Sequence, residues 1–239
     1  MEKIIAFNIK STLGSFQRPR SNNNSSTFHI IPKSALIGLI CGIIGLDREF
    51  MKNNNMYKIL SEKLKYNIIL CSPFQKKIWK EYKYNHANII QKEDRPRYSP
   101  SFYEKLVNIN YNVYLLYDDN DIELQKILYN FITNIKNNVY VFPPYMGMRN
   151  FMCDIKYINE FIPTKNNGDF ITKGFCTNFN IQKDISTNDI IYDDIPTLNT
   201  SYLAFDNNSY KKIYFNGNCG NINANGIYYK IENELLEFI

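Results

Sequence analysis

The chain has 239 residues, 44% of them hydrophobic and 15% aromatic, which excludes a disordered polypeptide and leaves room for one large domain or two small ones. Residues 1–100 carry a net charge of +10 and residues 101–239 a net −5; the asymmetry suits a first half that faces a polyanion and equally a solvated basic face, and leaves the second half free to meet a protein partner. The five cysteines, at 41, 71, 153, 176 and 219, are scattered and odd in number; they argue against a disulfide frame or a zinc site and for free thiols in a reducing cytosol.

Lys3–Lys10 alternates like a strand, with Ile5, Phe7 and Ile9 on one face and Ile4, Ala6 and Asn8 on the other. It turns polar at Asn8, too early for a signal-peptide core, so no leader is expected. Ser11–Lys33 reads as a polar loop, after which Ser34 is expected to cap a helix through Leu36, Ile37, Ile40, Ile43 and Ile44 that ends near Gly45. The apolar run Ala35–Leu46 is 12 residues long, against the roughly 20 a bilayer requires, and predicts a buried helix. A second helix is expected over Met56–Lys65 and a strand over Tyr66–Cys71.

Lys76–Tyr98 is basic and polar without clean periodicity, which predicts a functional excursion. Asn112–Tyr117 follows as a strand. Asp121 then caps an amphipathic helix with Leu124, Ile127, Leu128, Phe131 and Ile135 on one stripe. Val139–Phe142 is expected to return as a strand stopped by Pro143-Pro144. The order strand, helix, strand, strand, helix, strand is the split βαβ pattern that RNA-recognition modules share. After Met148, short β-rich segments recur around 170–179, 188–195, 200–206, 210–215 and 226–231. The expected fold is α+β: a ferredoxin-like domain over 1–147 with an insertion at about 76–98, then a mostly antiparallel β subdomain over 148–239.

Ser11–Arg48 carries the strongest functional signal. A strand ends in a Gly-containing loop bearing Arg18 and Arg20, passes Phe16 and Phe28, and re-enters through Pro32-Lys33-Ser34 at a helix N-terminus, where free N–H groups favour an anion. Lys33, Arg18 and Arg20 suit phosphate contact, although each also suits a solvated loop; Phe16 and Phe28 suit stacking on unpaired bases. Gly38, Gly42 and Gly45 repeat along one side of the helix and read as packing devices.

This stretch resembles the family-five CRISPR-associated (Cas) protein of the RAMP superfamily. The matching residues are Gly14-Ser15-Phe16, Arg18-Pro19, Thr27-Phe28, Pro32-Lys33-Ser34, Leu36-Ile37-Gly38-Leu39 and Ile44-Gly45. Further along, Glu104-Lys105-Leu106-Val107-Asn108 with Tyr111 is similar to the family's entry into its third strand, with Ile109 where a Pro is usual. Pro143-Pro144-Tyr145-Met146-Gly147 with Arg149 and Phe151 resembles its "Pro-Tyr-Leu-Gly" turn, and Ile195-Pro196 its late "Leu-Pro" strand. The resemblance spans nearly the whole chain and is closest to subtype I-B.

The resemblance implies a ferredoxin-like (RRM/RAMP) palm, with the 76–98 insertion as its thumb. It also implies a subunit of a type I surveillance (Cascade) complex that holds the 5′ handle of the guide RNA in antiviral defence. Its partners would be that RNA, the backbone subunit and the large subunit, with target DNA met indirectly and no membrane or cofactor. The RNA-binding set would be Lys10, Ser15, Phe16, Arg18, Arg20, Phe28, His29, Lys33, Ser34, Arg48, Tyr145, Gly147 and Arg149, with Lys80, Lys83, His86, Arg95 and Arg97 on the thumb. Tyr145–Gly147 is most simply a turn, and Arg149 suits a structural ion pair as well as RNA.

The chain is expected not to be an enzyme. It has two histidines, His29 and His86, and lacks the adjacent Lys-His pair of the branch that cleaves repeat RNA. No HExxH, Walker loop, GxSxG or acidic metal cluster is present. The alternatives are a metal-independent endoribonuclease using one of these histidines as general base, and a protein scaffold that contacts no RNA.

Overall fold

The computed structural model describes residues 1–18, 24–46, 49, 56–84, 98–180, 189–196 and 210–239. Strand β1 (Glu2–Gly14) pairs antiparallel with β5 (Tyr98–Asp118), in register from Glu2↔Asp118 to Gly14↔Leu106. β3 (Lys65–Leu70) adds to the far side of β5 and β6 (Asp154–Phe161) to the far side of β1. The resulting order β6-β1-β5-β3, with α1 (Lys33–Ile44) between β1 and β3 and α3 (Ile122–Asn137) between β5 and β6, is the split βαβ arrangement. Helix α2 (Met56–Lys63) leads into β3.

Both faces of this sheet are covered, which explains the unbroken apolar run Ile4–Phe7. Ile5, Phe7 and Ile9 share a core with Leu36, Ile37 and Ile40 of α1 and Leu124, Leu128 and Phe131 of α3. Phe7 meets Phe131 edge to face at 5.2 Å. On the other face, Ile4, Ala6, Tyr114 and Leu116 pack against Tyr229, Ile231, Leu236 and Phe238. Those residues belong to or follow β10 (Ile222–Ile231) and β11 (Glu234–Leu236), which form a three-stranded sheet with β7 (Thr164–Thr172). The ribbon of β8 (Ile190–Pro196) and β9 (Tyr210–Asn216) sends Ile195, Ile213 and Phe215 into the helix-side core.

Several expectations are corrected. Residues 148–239 do not form one separate layer. β6 is an outer strand of the first sheet because Ile155 pairs with Ile9 and joins its core. Val139–Phe142 is not a strand; the N–H groups of Val141 and Phe142 donate to the carbonyls of Ile43 and Gly42, satisfying the end of α1. Ser34 is not the N-cap, a place taken by Pro32, and no side chain caps that end. The other end closes as expected, with Gly45 left-handed at φ 82°.

Lys76–Tyr98 is not wholly irregular. Lys76–Tyr84 is strand β4, paired with the first half of β5 from Lys76↔Leu106 to Tyr84↔Tyr98, and the two form an arm. The short β2 (Asn24–Ser25) runs parallel to the same part of β5. The expected strand at 200–206 lies outside the described residues.

The exposed edge of β3 is met by the last residue: Tyr66 N–H donates to Ile239 O at 3.0 Å, and Ile239 N–H returns to Tyr66 O at 3.3 Å. No helix among the described residues is long and apolar enough to cross a membrane. All five cysteines are free thiols, with Cys41, Cys153 and Cys176 buried.

Asp121 caps α3 as its sequence position suggests, its side chain accepting from Leu124 N–H at 3.1 Å. Asp121→Ala is expected to cost about 1 kcal/mol, while Asp121→Asn, which keeps an acceptor, recovers most of it. Urea denaturation checks this as a lowered midpoint with an unchanged slope.

Candidate nucleic-acid interface

The described residues on either side of positions 19–23 in the loop after β1 are tied down by a network of hydrogen bonds. Gln17 and Thr27 form a two-sided bridge, within which Phe28 N–H donates to Phe16 O at 2.9 Å and Arg18 N–H to Ser26 O at 2.9 Å. The Thr27 hydroxyl is fully buried and accepts from Phe16 N–H at 2.8 Å. Thr27 N–H donates to Glu104 Oε2 at 3.0 Å, and Lys76 Nζ reaches the same oxygen at 2.9 Å, so one carboxylate joins loop, β4 and β5. Burial alone would raise the Glu104 carboxyl, but Lys76 and the Thr27 amide outweigh it and hold it below the usual carboxylate value.

Phe16 and Phe28 are core residues, each 4% exposed. Neither has a face to offer a base, which corrects the expectation that they stack on RNA. The apolar character read as a platform is used for burial, and Arg18 lies over the Phe28 ring at 4.9 Å.

Arg18 also pairs through Nη2 with Asp193 Oδ1 on β8, a carboxylate with no solvent-exposed side-chain surface. Asp193 Oδ2 accepts from His29 N–H at 2.7 Å, and the His29 Nδ1 lies 3.2 Å from it without the alignment of a hydrogen bond. The His29 ring packs edge-on against Phe74 at 5.1 Å, and its carbonyl accepts from Tyr111 OH at 3.2 Å. Burial would raise the Asp193 carboxyl, yet His29 and Arg18 together lower it below its ordinary value. Asp193 is thus the organising acid of the loop's described residues, and sequence reasoning, which singled out only the adjoining Ile195-Pro196, missed it.

Among the described residues, Lys33 is the loop cation without an ion pair. It opens α1. Burial, with Lys65 and Lys211 adding repulsion, brings its ammonium down to about 8. Ser34 stands beside it in the first turn.

The turn at 145–149 lies against the start of the loop, with Ser15 N–H donating to Met146 O at 3.0 Å and Ser15 Oγ to Glu104 O at 3.3 Å. Gly147 has φ 84°, and a Cβ there would fall 1.9 Å from Ser15 O, so its glycine is required by backbone packing. Tyr145 and Arg149 are exposed on the same turn. Lys10 is exposed near the end of β1, opposite Asn110 and Asp154.

On the arm, Lys77, Ile78, Trp79 and Lys80 are all exposed, and Lys83 continues β4. Arg20, Arg48, His86, Arg95 and Arg97 lie outside the described residues. No group of three His, Cys, Asp or Glu side chains suited to a metal ion occurs among the described residues.

Residues 4–160 match the profile of the CRISPR-associated protein (Cas_Cas5) family. A crystal structure of a CRISPR protein from Archaeoglobus fulgidus aligns over 98% of this chain and 97% of that one, with a TM-score of 0.56 at 11% identity, which shows a shared fold. A chain of a CRISPR RNA-guided surveillance complex aligns over 95% of this chain and 89% of its own, with a TM-score of 0.43 at 12% identity. No curated protein matches the sequence. The chain belongs to the CRISPR-associated protein (Cas_Cas5) family.

Removing Asp193 takes away the carboxylate that Arg18 and His29 share. Asp193→Ala is expected to cost about 2–3 kcal/mol, below the full cost of an unpaired buried charge because Arg18 keeps partial contact with water. The carboxyl is lowered in the folded state, so its stabilisation is complete above about pH 4, the unfolded value, and drains as pH falls below it. Urea melts of wild type and Asp193→Asn as a function of pH should therefore differ most above pH ~4 and converge in more acidic solution.

Proposed function

From that membership we propose that this chain is a non-catalytic RNA-binding subunit of a type I CRISPR surveillance complex, holding the 5′ handle of the guide RNA beside a backbone subunit and the large subunit. Target DNA is met only indirectly, through the guide. The observation that carries this reading is the arm: a hairpin rooted in the central sheet, with Lys77, Lys80 and Lys83 along β4 beyond the Lys76–Glu104 pair, and exposed Ile78, Trp79 and Phe102. Cations beside exposed rings suit single-stranded RNA, which supplies phosphates and unpaired bases together. Lys33 at the start of α1, without an ion pair among the described residues, supports the same reading.

The non-catalytic part rests on His29. Its ring is wedged between Asp193 and Phe74, and its own backbone groups are spent on Asp193 and Tyr111, an arrangement suited to holding the loop. General acid–base cleavage requires a group within hydrogen-bond reach of the proton it takes.

Three measurements test the proposal. Co-purified complex should contain a guide RNA whose 5′ end this chain shields from nuclease. With the chain alone, charge reversal at Lys33, Lys77 and Lys80 should flatten the dependence of log affinity on log salt by roughly 0.7 per lost contact; an unchanged slope would remove these residues from the interface. Labelled repeat RNA incubated in chelator with wild type, His29→Ala and His86→Ala should remain intact throughout. Cleavage at the handle boundary that either substitution abolishes would make the protein an endoribonuclease.

A further inference from the structure

With Phe16 and Phe28 buried, the aromatic surface open to a base lies elsewhere. The cross-strand pairs Trp79↔Tyr103 and Lys77↔Lys105 put these four residues on one face of the arm. Trp79, the single tryptophan of the chain, is 42% exposed. It is also held in place. The Lys105 ammonium lies 4.6 Å from its ring centroid and 5.4 Å from that of Phe151, and both Lys105 and Phe151 are buried. The indole therefore rests on a packed floor of its own arm and the 145–152 turn while a large share of its area stays in water.

A tryptophan in that state is a preformed contact surface, because little side-chain freedom is left to lose on binding. The charge around it selects the occupant. Lys77 is exposed on the same face, and Lys80 lies 6.0 Å over exposed Phe102 on the other. A single-stranded nucleic acid meets both demands, a base to cover the ring and a phosphate for each neighbouring ammonium.

Resting on the RNA-binding reading above, we propose that Trp79 is a base-stacking platform for single-stranded RNA, with Lys77 taking a phosphate flanking the stacked nucleotide. The platform is sequence-tolerant, since every base has a π face. It places an unpaired nucleotide at the root of the arm, where β4 leaves the central sheet.

The sole tryptophan makes the test direct. Full-length protein is titrated with a short fluorescein-labelled oligoadenylate, reading label anisotropy for binding and indole emission for stacking. Emission should be quenched in parallel with the anisotropy rise. Trp79→Ala should weaken binding roughly tenfold or more, and Trp79→Phe should restore most of it. Thermal melts of both variants confirm that the fold is kept. If anisotropy rises while emission stays constant and Trp79→Ala binds as tightly as wild type, the platform is refuted and the RNA-binding function stands. If Trp79→Leu binds as tightly as wild type, the position works by apolar contact, as a protein-docking residue would, and stacking is again refuted. Absence of any anisotropy change at low salt would overturn the function and the platform together.

Discussion

Strand β5 belongs to two structures at once, and the rest of the molecule is arranged around that double duty. Its 21 residues exceed by several-fold the five or six of an ordinary strand. From Leu106 to Asp118 it is the middle of a sheet buried on both faces, with β1 on one side and β3 on the other. From Tyr98 to Lys105 it pairs instead with β4 and β2 and leaves the core. The change falls beside Asn108, whose left-handed φ of 53° interrupts the regular strand. An arm continuous with a core strand is aimed by the core, with no linker to loosen it.

Charge is partitioned along the same line. The basic excess of the first hundred residues does not simply face outward. Arg18 is answered by Asp193 and Lys76 by Glu104, both non-local acids that bind the loop to its surroundings. Among the described residues Lys33 makes no ion pair, and Lys77 and Lys80 stand exposed on the arm. The described part of the loop is therefore a scaffold in large part, and the arm beside it carries exposed lysines and rings.

Much of the fold was legible because it depends on local chemistry. Period-two alternation marks β1, the Asp121 cap and its apolar stripe mark α3, and Gly45 marks the end of α1. What stayed hidden depends on partners far along the chain. Val139–Phe142 has the composition of a strand, but the carbonyls of α1 claim its N–H groups. The arm has lysines where strand propensity would ask for apolar residues, and only the register with β5 makes it a strand. Phe16 and Phe28 read as exposed because their flanks are polar, yet Thr27, Glu104 and Asp193 turn those flanks inward. A family pattern preserves the residues of such a loop without distinguishing the ones that hold it from the ones that bind.

The bond between Arg18 and Asp193 joins residues 175 apart in sequence, and that of Asn67 with the Glu237 carbonyl residues 170 apart. Ile195, Ile213 and Phe215 likewise enter a core begun by Ile5. Synthesis runs the other way, from N-terminus to C-terminus, so the loop and both sheet faces emerge long before the strands that close them. Until β8 and β9 leave the ribosome, the Arg18–Asp193 pair cannot form and the helix-side core is short of three of its apolar residues. A topology of this kind folds late and slowly, since distant ends must be brought together before their contacts repay the lost chain entropy. The nascent chain is thus a polycation with an open core, the state in which chaperones or early assembly with an anionic partner matter most.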